Sequence, residues 1–96
     1  MPQWKTQLYE GGIRVPGFVH SALLPSVARG TVHKGLFHVS DWLPTIVIGI
    51  AGGSTERNLA LDGMNIWPAI TGGPRTASPR TEVLHTLNAA CGMGFV

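Results

Sequence analysis

An α/β chain is what the sequence predicts, on three observations. Ile13-Arg-Val-Pro-Gly-Phe-Val-His20 is mostly apolar and β-branched, the composition of a strand. Leu43, Ile46, Val47 and Ile50 recur at helical spacing between Asp41 and the Gly52-Gly53 pair. Arg80-Thr-Glu-Val-Leu-His85 then returns to a strand-like pattern.

Each element has a local cause. Gly11 and Gly12, after Glu10, can adopt positive φ, so a sharp reversal is expected before the first strand near residues 13–20. Pro16 cannot donate to a ladder, so that strand is expected to be short, bulged or at an edge. Ala22 to Gly35 reads as a loop punctuated by Pro25, Gly30 and Gly35. The helix is expected near 41–51. Asp41 serves as N-cap, and Pro44 falls among the positions whose N–H has no intrahelical partner. Ile48 lies outside the apolar stripe, so this helix should be buried on nearly all sides. Gly52 or Gly53 offers a left-handed C-cap. Leu61-Asp-Gly63 is a turn signal, Pro68 suits the start of a helical turn, and Gly72 to Pro79 is a second loop.

Composition narrows the class. Ninety-six residues form one small domain at most. Hydrophobic residues make up 44% and charged residues only 12%, a composition that is not disordered but is sparsely charged for an independent soluble domain. Such a chain struggles to cover its own apolar surface, as a segment of a larger domain would. The net charge of +2 comes from scattered basic residues, with no patch that points to nucleic acid. Cys91, the single cysteine, excludes an intrachain disulfide. The opening Met1-Pro-Gln-Trp-Lys5 lacks the long apolar run of a secretory leader. Ile46-Val-Ile-Gly-Ile-Ala51 is far too short to span a membrane.

A set of ordered segments carries a family resemblance. Lys5 is followed by Tyr9-Glu-Gly-Gly-Ile-Arg14, Phe18-Val-His-Ser21, His38-Val-Ser-Asp-Trp-Leu-Pro-Thr45, Leu61-Asp-Gly63, Trp67-Pro-Ala-Ile70 and Ser78-Pro-Arg-Thr-Glu-Val-Leu-His85. Together they resemble the late part of the catalytic domain in sulfatases, in particular the arylsulfatase B-like group with its I- and J-type relatives. Each segment alone is weak; their order makes the signal. The resemblance covers residues 5–88, as a partial sulfatase catalytic domain, and leaves 89–96 as an unmatched tail. It implies the alkaline-phosphatase-like sulfatase fold, a large sheet flanked by helices, of which this is the later portion. Members of that group are secretory or lysosomal.

The resemblance also implies a chemistry: hydrolysis of sulfate esters, such as sulfated glycans or aryl sulfates. It uses a formylglycine made from Cys or Ser in a C/S-x-P-x-R setting, a calcium ion held by Asp and Asn oxygens, and a cationic clamp on the sulfate. Cys91 precedes Gly-Met-Gly-Phe and is no formylglycine precursor by sequence. Asp41, Asp62 and Asn65 match turn and cap positions rather than calcium ligands. Lys5 does carry over, matching a lysine that touches the substrate sulfate, a role suited to an ammonium point charge. Its plain alternative is an exposed surface lysine.

The other polar residues are weighed the same way. Asp41-Trp42 is either a cap and a core anchor, the favoured reading, or an acid and aromatic lining a pocket. Glu10 is read as a loop anchor through backbone N–H groups rather than a general base. Arg14 is suited to pair with an acidic partner. His33 and His38 are five apart, and His20 and His85 are isolated, so solvated or hydrogen-bonded histidines are favoured over metal ligands.

Two function classes follow. One is a piece of a sulfuric ester hydrolase, inactive as this chain alone, with calcium and formylglycine belonging to the intact family. The other is a non-catalytic small protein that keeps the sulfatase segment as an interaction module. In-frame C-x-P-x-R in flanking coding sequence discriminates the first from the second.

Overall fold

The computed structural model describes residues 10–57, 60–88 and 93–95. Lys5, Cys91 and most of the tail lie outside these residues. The chain divides into two compact units, one of Leu23–Val83 and the other comprising residues before and after it.

In the terminal unit, α1 is a single turn, Glu10–Ile13. The double glycine therefore sits inside a helical turn. Among the described residues positive φ belongs to Gly30, Gly52 and Gly73 instead. The strand expected over 13–20 is absent: residues 14–20 are irregular, and Phe18 is 91% exposed. A strand composition needs a partner strand to satisfy its ladder, and among the described residues none pairs with this stretch. The strand-like pattern at 80–85 is also irregular. Strand structure begins one residue later, where β1 (Thr86–Asn88) pairs antiparallel with β2 (Met93–Phe95), with Leu87 opposite Gly94.

The 23–83 unit is built around the expected helix, which starts two residues early and is not regular. It opens as a 3-10 turn over Val39–Asp41, passes through α2 (Trp42–Pro44), and continues as a π-helix over Thr45–Ile50. The change of winding has a chemical cause. Pro44 has no N–H to give. The Thr45 hydroxyl donates to the Asp41 carbonyl at 2.6 Å, while the Thr45 N–H turns to Trp42 O. The regular i→i−4 ladder is thereby broken, and the next turns widen, with Ala51 N–H reaching Ile46 O at 2.9 Å. Gly52, at φ +66°, supplies the left-handed end, and Gly53 N–H closes on Val47 O at 2.7 Å.

The central helix packs on α3, Trp67–Thr71, in which Pro68 sits in the first turn as expected. Close approach depends on two glycines. A Cβ at Gly49 would run into the Trp67 side chain and, at 2.6 Å, Asn65 Oδ1. A Cβ at Gly63 would collide with the Ser40 carbonyl oxygen, and neither backbone can give way cheaply. Gly63→Ala should therefore cost about 1–3 kcal/mol. Gly17→Ala, whose Cβ would meet nothing within 4 Å, should be near neutral; comparing their urea midpoints checks this. Leu24, Ile66, Ala69 and Val83 form the small apolar core.

The expectation of a helix buried on nearly all sides is corrected. One side is buried through Asp41, Pro44 and Thr45, but Leu43 and Ile46 are each 52% exposed, and Trp42, expected as a core anchor, is also exposed. Among its described residues the 61-residue unit buries few apolar side chains, Leu24, Pro44, Ile66, Ala69 and Val83, too small a core to wrap an apolar helix.

Candidate functional site

The best-organised polar cluster in the 23–83 unit centres on Asp41, which is 0% exposed. Its carboxylate does not cap α2. It instead accepts from two backbone amides, His38 N–H at 2.8 Å and Met64 N–H at 2.9 Å. Arg80 meets it side-on, with Nε 2.9 Å from Oδ2 and Nη2 2.5 Å from Oδ1. The guanidinium is completed by two carbonyls, Asp62 O at 2.9 Å from Nη2 and Glu82 O at 3.3 Å from Nη1. The fixed fork of arginine suits this bidentate geometry. His38 closes the helix start from the other side, its Nδ1 accepting the Ser40 N–H at 3.3 Å.

Thr45 extends the network inward. Its hydroxyl oxygen accepts the Ile66 N–H at 2.9 Å while its proton goes to Asp41 O. A second lacing joins the loops on either side of the helix. His33 Nε2 donates to Thr76 O at 2.7 Å, and its Nδ1 accepts Gly35 N–H at 2.9 Å, which defines the neutral Nε2–H tautomer. Its ring stacks on Phe37 with centroids 5.1 Å apart. Ser78 Oγ donates to Leu36 O at 2.7 Å and accepts Arg80 N–H at 3.2 Å.

Burial pushes the Asp41 carboxyl upward, but the Arg80 hydrogen bonds and the Met64 and His38 amides together hold it below the usual carboxylate range. Arg80 is raised further still, by its bonds to Asp41. The sign of the pH effect follows. A folded-state pKa below the unfolded value of about 3.9 gives stability that is present in full above that pH and lost as pH falls through the folded value. The urea midpoint of the parent chain should therefore drop with acidification below about pH 4, and Asp41→Asn should flatten that slope. An unchanged slope in the Asn variant would remove Asp41 as its source.

Chemically, this cluster is a clip. Every oxygen of Asp41 and four of the five guanidinium N–H groups have fixed internal partners or lie at the clip, so neither residue is presented to a substrate. The cap reading of Asp41 is corrected in part: its carboxylate closes a capping box on the His38 N–H at the first turn rather than capping α2, and it is also the hub of an ion pair, while Trp42, read as a core anchor, is exposed. Asp62 sits at a bend, and Asn65 lies just before α3, its Oδ1 accepting the Trp67 N–H at 3.0 Å. His20 and His85 are exposed, while His33 and His38 are hydrogen-bonded. Arg80 was the residue that sequence reasoning missed. A lone aspartate at the head of an uncharged apolar helix needs a counter-charge only once it is buried, and that burial is visible in the structure and not in the sequence. Lys5 lies outside the described residues, and so does the Glu10 side chain.

The polar clip joins two of the segments that carry the sulfatase resemblance, His38–Thr45 and Ser78–His85, with the Leu61–Gly63 turn between them. Similarity to a known protein bears on that resemblance. Over 84 residues the chain is 46% identical to Arylsulfatase J of Mus musculus, a match that takes in 88% of this chain and 13% of that protein. The chain is thus similar to a part of a sulfatase and spans only that small share of its relative's length. No family model matches the chain, and no solved structure matches it.

The calcium ion and formylglycine that such a relative suggests do not fit the described residues. Among these residues no three of His, Cys, Asp or Glu gather as a metal site. The buried carboxylate, Asp41, is already committed to Arg80 and two amides. A hard cation such as calcium requires several oxygens converging on one point.

Proposed function

We propose that this chain works as the later part of a sulfatase catalytic domain of the α/β, alkaline-phosphatase-like kind, with residues 5–88 inside that domain and 89–96 outside it. In this reading Lys5 contributes one cationic contact to the sulfate of a sulfate-ester substrate, a sulfated glycan or an aryl sulfate. The observation that carries the reading is the 46% identity over 84 residues, the same length as residues 5–88. The ordered sulfatase-like segments support it, and the clip supplies a structural role for two of them. Arg80 and Asp41 hold the chain around residue 38 against residues 62–64 and 80–82, so this stretch acts as scaffold, with Lys5 as its contribution to the clamp.

The chemistry of ester cleavage then belongs to groups that these 96 residues do not supply. Removing one preorganised donor typically costs about 100- to 1,000-fold in rate, and this sequence carries no C/S-x-P-x-R motif, while the described residues gather no metal-ligand cluster. The purified chain should release no product from 4-nitrocatechol sulfate, with or without calcium. Mouse Arylsulfatase J with its matched stretch exchanged for this sequence should keep turnover. Calcium-dependent turnover by the 96 residues alone overturns the division of labour, and a folded but dead exchange chimaera overturns the catalytic part of the reading, the contribution to the sulfate clamp, while leaving the place in the domain to the accessibility test below.

A further inference from the structure

We propose that the outward side of the central helix, formed by Val39, Trp42, Leu43, Ile46 and Ile50, is a docking face whose occupant is the remainder of a sulfatase domain. This rests on the sulfatase reading above. All five side chains are exposed in this structure, and they recur at spacings of three and four residues. The opposite side of the same helix is occupied by the clip, Pro44 and Thr45 and by the approach of Asn65 and Trp67 to Gly49. From Trp42 to Gly53 there is no charged residue at all. A solvated helix face carries charges, whereas one that is apolar on both sides is covered on both.

Three observations choose the occupant. A match of 84 residues in a chain of 96 includes residues 13–84 wherever its ends fall, so the helix lies inside the sulfatase-like stretch. That stretch is 13% of the relative, which leaves most of a sulfatase-sized polypeptide to provide cover. A second copy of this chain fits less well. Stable protein interfaces take about 800 Å² and roughly 20–30 residues a side, with a polar rim and direct hydrogen bonds. This face is narrow and has no charged rim within Trp42–Gly53, which is the character of a core layer.

Cysteine accessibility tests it. Leu43→Cys and Ile46→Cys are placed singly in the 96-residue chain with Cys91→Ser, and in the mouse chimaera carrying this sequence, with Val32→Cys as an exposed reference. Maleimide labelling at each site is read by peptide mass spectrometry. In the isolated chain all three sites should label at similar rates. In the chimaera, positions 43 and 46 should label about 100-fold more slowly than position 32, because reaction then waits on local opening. A cooperative melt certifies that each chimaera is folded, and Leu43→Met with Ile46→Met should leave that melt in place. Equal labelling at 43, 46 and 32 in a folded chimaera overturns the proposal. So does concentration-dependent protection in the isolated chain with a dimer by sedimentation, which assigns the face to a second copy. Neither result depends on turnover, so a chimaera that protects the face but fails to hydrolyse ester leaves this inference standing and removes the catalytic reading.

Discussion

Arg80→Met should abolish the ordered 23–83 unit rather than loosen it. The variant leaves the Asp41 carboxylate, 0% exposed, facing a methyl group and two backbone amides. Removing one partner of a buried ion pair costs about 3–5 kcal/mol, because the remaining charge has lost both water and counter-charge. Whole domains are stable by only about 5–15 kcal/mol, and small ones sit at the low end. Arg80 also donates to the carbonyls of Asp62 and Glu82, so the loops on either side of α3 lose their tie in the same step. Adding Asp41→Asn to Arg80→Met should recover part of the loss. It removes the buried charge and keeps one acceptor for an amide, though the second amide stays unsatisfied. Tryptophan fluorescence in urea, run on the chain and on the mouse chimaera, reads both variants. A single Arg80→Met variant within about 0.5 kcal/mol of the parent, the range of an ordinary surface change, would show that the pair is incidental to folding.

The same pair shows where sequence reading stopped. The helix was legible because its signal is local: apolar spacing, a proline near the start and two glycines at the end all act within a dozen residues. The first turn of α3 was legible for the same reason, from Pro68. The π winding was not, because it depends on Thr45 bonding backwards to Asp41 O and outwards to Ile66 N–H, and the second partner is 21 residues away. Asp41 and Arg80 are 39 residues apart, and nothing in their flanking sequence pairs them. Both strand expectations failed for a related reason. Residues 13–20 and 80–85 have strand composition, yet a strand exists only when a partner accepts its ladder. For Thr86–Asn88 that partner is Met93–Phe95. The left-handed glycines were half legible. Gly52 follows from the helix end it closes, whereas Gly11 and Gly12 were read as a reversal and belong to α1.

Lys5→Ala in the mouse chimaera should lower turnover by about 100- to 1,000-fold, the usual cost of losing one preorganised charge partner in a water-poor site. The argument runs from the residue type. A sulfate ester spreads negative charge over its outer oxygens, and more of that charge develops on the leaving oxygen as the ester bond breaks. An ammonium held against the sulfate is a compact point charge that needs no planar geometry to act. Its deletion should therefore reduce kcat/KM, and a loss confined to KM would mean that Lys5 binds ground state and transition state equally. Lys5→Arg should restore only part of the rate, since the guanidinium is broader and its charge sits farther from the backbone. Folding should be indifferent to both variants, because the proposed role asks Lys5 for a charge and not for packing. The urea midpoint is the control that separates a lost contact from a lost fold. Near-normal kcat/KM in a folded Lys5→Ala chimaera would take Lys5 out of the site and leave this stretch with a purely structural part in the domain.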